Sequence, residues 1–391
     1  MKSAGLLRHG LRAVRRIESW TPRPNGRRRV LVDARTPVNF TMFAPIHRVL
    51  KTDPRVEVLF TASEDPHRVA EIYREAGNVP MIHPRRAALM KFDAYVASDF
   101  MWATLPRGTC RIQMFHGVGG KYGFDAPDKS MREWHRLFFV NQRRLRNYLA
   151  ADAIDPDSPA IRLVGMPKTD CLVDGTFQRD AVVRSLGLDP ALPTVLYAPT
   201  WSPASSLNMM GVALSRALLE RPINLIVKLH DRSRDLRQRY SGGVDWVAAL
   251  APVMRGRRGV IASGHDISPY LVAADVMITD HSSAGFEFLL RDRPLVRIHC
   301  PELLQLANVH PDYVALLESV SHSVSTLRDA LAAVDLGLAD PEAGGAIRRR
   351  VAADLFYRPG TATARATEFL YEAMELPTLT AVEEAACQPS V

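Results

Sequence analysis

Short apolar runs recur along the chain with helical segments between them. Residues 30–32, 56–60, 94–97, 112–115 and 161–164 are each strand-sized and rich in β-branched, aromatic or small apolar side chains. Residues 141–153 read as one of the intervening helices. A second series follows Leu188, with runs at 195–197, 225–229, 260–261, 276–278 and 295–298. Strands that alternate with helices build parallel sheets covered on both faces, and two such series predict two sheets.

The expected fold is therefore α/β, with two Rossmann-like domains facing across a cleft in a GT-B-like arrangement. The polar stretch Asp174-Gly175-Thr176, ahead of a helical segment at 180–186, sets the expected division. Residues 29–175 form the N-terminal domain, 176–360 the C-terminal domain, 361–376 a final helix and 377–391 a tail. In such sheets, ligands bind outside the carboxyl ends of the strands, so the residues just beyond each run are the candidates.

The most informative of these follows Val276-Met277-Ile278. The next apolar patch, 284–290, has helix length and closes at Arg291-Asp292-Arg293-Pro294, ahead of a second strand. In this βαβ unit Ser282 and Ser283 fall at the start of the helix. Free N–H groups gather there and suit an anion, although a serine that only caps the helix satisfies the same pattern. Other strand ends carry HGVGGK (His116, Gly117, Lys121), YAPTWS after Leu196, and Lys228-Leu229-His230-Asp231-Arg232. Lys228 and His230 share a face if the strand reaches His230. Polar sets at several consecutive strand ends point together to a phosphate cradle of hydroxyls, N–H groups and cations.

Taken in order, HGVGGK, YAPTW, KLH and ITDHSSAGFEFLLRDRPLV resemble the CDP-glycerol glycerophosphotransferases of teichoic-acid and capsular-polymer synthesis, as does the later FYRPGTATARA at 356–366. The resemblance runs from about Ile112 to Arg365 and is most specific in the second domain. It implies a CDP-glycerol or related CDP-polyol donor, handled by the C-terminal domain, and a lipid-linked or polymeric acceptor hydroxyl, handled by the N-terminal domain. By the same resemblance His116 is the base and His230 a second catalytic group. Lys228, Arg232, Ser282, Ser283, Glu287 and Arg365 bind the donor and its phosphates, Glu287 being the candidate for the ribose hydroxyls, while Gly117 and Lys121 lie on the acceptor side. Neither a cofactor nor a metal is implied. The chain departs from the family pattern where Asp231 follows His230 in place of proline, where His281 replaces tyrosine and where Glu287 replaces aspartate. Nucleotide-sugar glycosyltransferases and epimerases share this architecture, and a nonenzymatic anion-binding protein at a membrane surface is the competing class.

Charge agrees with anionic partners: 50 Lys and Arg against 42 Asp and Glu give a net +8. No nucleic-acid-binding module or interleaved aromatics accompany it, so nucleic acid is not an expected partner. Cys110, Cys171, Cys300 and Cys387 are far apart and form no C-x-x-C pair, which fits a reducing cytoplasm and predicts neither disulfides nor a zinc site. The acidic pair Asp155-Pro156-Asp157 reads as a solvated loop. No apolar run has transmembrane length. Residues 1–28 combine a helical stripe of Leu6, Leu7, Leu11, Val14, Ile17 and Trp20 with many arginines. That pattern suits a helix lying on the inner face of an anionic cell membrane, and equally one packed on the protein with a solvated basic side.

Overall fold

The computed structural model describes residues 26–98, 103–121 and 129–379. Most of the basic N-terminal segment, residues 1–25, and residues 380–391 of the expected tail lie outside the described residues.

Two compact units divide the chain. The first comprises the described residues up to His116, those from 129 to Lys168 and those from Thr361 onward, while the second comprises Gly117–Lys121 and Thr169–Gly360. The second unit thus starts after Lys168, where sequence reading placed the division after residue 175, and it also takes the glycine-rich stretch that follows His116.

The first unit holds one sheet of six strands: β1 (Arg28–Asp33), β2 (Val56–Thr61), β3 (Ala94–Ala97), β4 (Cys110–Met114), β5 (Arg136–Phe139) and β6 (Ile161–Leu163), in the order β2-β1-β3-β4-β5-β6. The second unit holds β7 (Thr194–Tyr197), β8 (Asn224–Val227), β9 (Gly259–Ile261), β10 (Val276–Thr279), β11 (Leu295–Ile298) and β12 (His322–Val324), in the order β12-β11-β10-β7-β8-β9. Every strand pair is parallel. β7, β8, β10 and β11 are buried along their whole length, which is why they read as continuous apolar runs rather than alternating ones.

Two of the polar residues inside these strands join neighbouring elements. Asn224 donates to Asp189 O at 2.6 Å and Thr194 Oγ1 at 3.2 Å, pinning the entry to β7. Arg297 donates to Ser323 Oγ at 2.8 Å and pairs with Glu318 at 3.2 Å, tying β11 to the edge strand.

β5 and β12 were not expected. β5 opens on Arg136 and has only three apolar residues. β12, His-Ser-Val, is an edge strand with two exposed positions, so no apolar run marks it. β8 stops at Val227, short of the expected 229.

The final helix, Ala362–Ala373, belongs to the first unit. Tyr371 donates its hydroxyl to Asp53 at 2.7 Å, and Arg55 grips the same buried carboxylate at 2.7 Å. Phe369 stacks near Phe138 and beneath the Arg162 guanidinium. Among the described residues no helix is long and apolar enough to cross a membrane.

Candidate active site

In the second sheet the strand order reverses between β7 and β10, the place where a doubly wound sheet opens a crevice at its carboxyl edge. The YAPTWS loop leaves β7 there, and Asp280–Ser283 leaves β10. Asp280 joins them. Its buried carboxylate accepts Thr200 N at 2.9 Å, Ser206 N at 3.2 Å, Ser206 Oγ at 2.9 Å and His281 N at 2.7 Å. Four donors on one carboxylate fix the loop's path through Trp201. Sequence reading did not single Asp280 out, because its partners Thr200 and Ser206 lie on a different strand connection.

Lys121 enters this set from the HGVGGK stretch. Its Nζ lies 3.5 Å from Thr200 Oγ1, and its carbonyl accepts His310 N at 2.9 Å, both within the second unit. Burial lowers the Lys121 pKa and the Asp280 carboxylate opposes that shift. Lys121, expected on the acceptor side, thus groups with the second unit, as does Gly117. The glycines have structural reasons of their own. A Cβ on Gly119 would stand 2.7 Å from the Phe286 ring, and Gly120 has φ +64°.

Beyond β8, Lys228 is buried and donates to Leu229 O at 3.1 Å. His230 is half-buried, and its Nδ1 accepts Arg232 N at 3.1 Å. An amide only donates, so the neutral ring carries its proton on Nε2. Burial, reinforced by Lys228, Arg232 and Lys121 against Asp231, holds the His230 pKa down to about 4. Arg232 is exposed and stacks over Trp201, with 4.5 Å from guanidinium carbon to ring centroid. Asp231, at the position that departs from the family pattern, lies 2.9 Å from His265 Nδ1, a pairing sequence gave no sign of.

After β10, Ser282 is half-buried and its hydroxyl receives Ala284 N at 3.4 Å, while Ser283 is exposed and its side chain does not cap the helix Ala284–Phe288. Glu287 is buried on that helix. His281 is fully buried, and burial together with Arg297, Lys121 and His299 depresses its pKa to about 3. Folding therefore keeps His230 and His281 neutral where the unfolded chain would take protons. Since the unfolded state binds more protons below pH 6.5, stability is expected to fall as pH drops from 6.5 toward 4. Melting temperatures across that range check this. His281→Asn should shrink the drop, and an equal drop in that variant would contradict the assignment.

The first unit supplies His116 at the end of β4. The ring is exposed, and its Nδ1 lies 2.6 Å from the carbonyl oxygen of Ser98, the residue that follows β3. A carbonyl only accepts, so in the neutral ring Nδ1 carries the proton and Nε2 presents a lone pair. Ser98 is held in turn by its hydroxyl, which donates to Asn39 O at 3.0 Å on the helix Pro37–Leu50. Arg365, expected at the donor, sits in the first unit, where it donates to Val164 O at 2.8 Å and Thr361 Oγ1 at 2.6 Å.

Solved structures share this fold. A wall teichoic acid polymerase, TagF, aligns at TM-score 0.67 with 14% identity, over 95% of this chain and 96% of that one. A variant of the same polymerase soaked with CDPG aligns at TM-score 0.63 with 14% identity, over 95% of each chain. UDP-GlcNAc 2-epimerase from Methanocaldococcus jannaschii aligns at TM-score 0.53 with 13% identity, over 88% of this chain and 99% of that one. The architecture is therefore GT-B-like, and it is shared by enzymes of different chemistry. Comparison with curated protein sequences gave no match. The model of the CDP-glycerol:poly(glycerophosphate) glycerophosphotransferases, by contrast, matches residues 39–364, most of the chain, and the chain belongs to that enzyme family.

Proposed function

We propose that this enzyme moves a glycerol-phosphate or closely related polyol-phosphate unit from a CDP-linked donor to a hydroxyl of a lipid-linked or growing cell-surface polymer, releasing CMP. The observation that carries the reading is the opposite presentation of two histidines. His116 offers a lone pair on Nε2 and His230 offers a proton on Nε2. The first suits a base, the second a donor to phosphate oxygen.

In this scheme the acceptor's hydroxyl proton passes to His116 Nε2. The acceptor oxygen bonds to the donor's β-phosphorus as the bond from that phosphorus to the bridging oxygen breaks, and CMP leaves with the electron pair. Transfers of this kind depend chiefly on positioning and charge neutralisation. Lys228, Lys121 and Arg232 supply positive charge to the pyrophosphate, neutral His230 donates a hydrogen bond to it, and the hydroxyls of Ser282 and Ser283 add to them. Glu287 is the candidate for the ribose hydroxyls and Arg365 a further cation for the donor phosphates. The arginines of residues 1–28 support attachment to an anionic membrane surface, where a lipid-linked acceptor resides.

The test is donor selection by the purified protein. CMP release is expected with CDP-glycerol or a CDP-linked polyol and no turnover with UDP-sugars, while turnover of a UDP-sugar alone would overturn the reading. His230→Ala should weaken donor binding and lower kcat together, with kcat/KM down about 10- to 100-fold, as for a lost hydrogen bond to a charged group.

A further inference from the structure

Immediately after His230 the chain runs Asp231-Arg232-Ser233-Arg234-Asp235-Leu236-Arg237-Gln238-Arg239-Tyr240, with four arginines and two carboxylates. Both carboxylates are engaged. Asp231 faces His265 at 2.9 Å, and Asp235 is gripped by Arg237, with Nε at 2.9 Å from each carboxylate oxygen. Arg232, Arg234 and Arg239 have no carboxylate within ion-pair distance among the described residues, and all three are exposed. Arg234 donates only to a carbonyl, Ala262 O at 3.0 Å. The guanidiniums of Arg232, Arg237 and Arg239 stand 5.3, 4.7 and 4.6 Å from the centroid of the single Tyr240 ring. Asp235 balances Arg237, so the uncompensated charges at this ring are those of Arg232 and Arg239, and an arriving anion relieves their repulsion.

The turn is also anchored by packing. Ser233, Ser241 and Trp246 are buried beneath it, Trp246 Nε1 donates to Ser241 O at 3.1 Å, and Tyr240 stands edge-on to Trp201 at 5.5 Å. Stacked guanidiniums on a fixed turn lose little freedom when they bind phosphate. Trp201 lies 6.3 Å from the His230 ring, so the arginines begin beside the phosphate-directed histidine and lead outward from it.

We infer that the turn Asp231–Tyr240 is the docking surface for a polyanionic acceptor, with Arg234 and Arg239 holding the phosphodiester phosphates of a poly(polyol phosphate) chain. The inference rests on the transferase reading above and names the partner of that site. A CDP-linked donor has a single pyrophosphate, and Lys121, Lys228 and His230 at the strand ends serve it. The charges farther along the turn match a ligand with repeated phosphates. A membrane fits less well, because binding in the headgroup region needs an apolar face and the turn offers one exposed aliphatic side chain, Leu236.

The experiment measures binding of a long poly(glycerol phosphate) chain to the full-length protein without donor, for wild type and for Arg234→Gln/Arg239→Gln. The variant should bind the chain about tenfold more weakly, as expected from losing two exposed ion pairs, with a shallower dependence on salt. Its kcat with a single-unit acceptor and its KM for the CDP-linked donor should match wild type. Arg239→Glu, which leaves the Arg234 bond to Ala262 intact, should weaken chain binding in the same direction, so a folding defect in the double variant does not stand in for the effect. Unchanged chain affinity in both variants would overturn the inference. So would a loss of sedimentation with phosphatidylglycerol vesicles while chain affinity persists, since the surface would then face lipid. A raised donor KM would assign the arginines to the donor instead. The binding measurement contains no donor, so it stands even if CDP-glycerol proves not to be the substrate.

Discussion

Replacing His116 with alanine is expected to cut turnover by about 100-fold or more while donor affinity stays close to wild type. General-base catalysis contributes about 10²- to 10⁴-fold, and this base acts on the acceptor hydroxyl rather than the nucleotide. The ring is exposed, so its removal leaves no cavity and the variant should fold. Its orientation depends on one contact, Nδ1 to Ser98 O, and Ser98 is steadied by its hydroxyl bond to Asn39. Steady-state kinetics with donor and acceptor both saturating, beside a direct donor-binding isotherm, gives the answer. Wild-type turnover in the alanine variant would remove His116 from the chemistry even with the fold unchanged.

The second large effect is expected at Asp280. Asp280→Ala deletes a buried carboxylate that satisfies Thr200 N, Ser206 N, Ser206 Oγ and His281 N, and leaves those donors in a site closed to water. Unpartnered buried donors of this kind cost about 1–3 kcal/mol each, so a loss of about 3 kcal/mol or more is expected after relaxation. Lys121 would also lose the carboxylate that favours its charged form. Donor affinity should therefore fall in whatever fraction still folds. Asp280→Asn keeps one acceptor oxygen and should be intermediate. Chemical denaturation and donor binding check both variants, and an alanine variant as stable as wild type with unaltered donor binding would refute the anchoring role.

Much of this fold was legible because its information is local. β7, β10 and β11 are buried on both faces, so their sequences had to be continuous apolar runs, and the polar residues after them stood out against that background. β12 was invisible for the converse reason: an exposed edge needs no apolar run, and what joins it to the sheet, its backbone pairing with β11 and the Arg297 bond to Ser323, leaves no local pattern. The site was legible in its residue types but not in their states. HGVGGK showed a histidine and a lysine in one stretch, whereas the structure assigns His116 to the first unit and Lys121 to the second. Which nitrogen of His116 carries the proton depends on a carbonyl after a different strand. Likewise, Arg365 stands in a family-like motif, and no local pattern announces that its guanidinium reaches Val164 O on a distant strand connection.

The position of the helix Ala362–Ala373 in the chain bears on how the first unit is made. Asp53 and Tyr371 bond across 318 residues of sequence, so the first unit lacks one of its buried contacts until Tyr371 has left the ribosome. The strands β1 to β6 emerge early, and the whole of Thr169–Gly360 is then synthesised before that helix appears, an interval of about 10–40 s at usual rates of translation. During that interval the surface around Asp53 and Phe138 is uncovered, so deleting the helix Ala362–Ala373 is expected to be a folding defect of the first unit rather than a local trim.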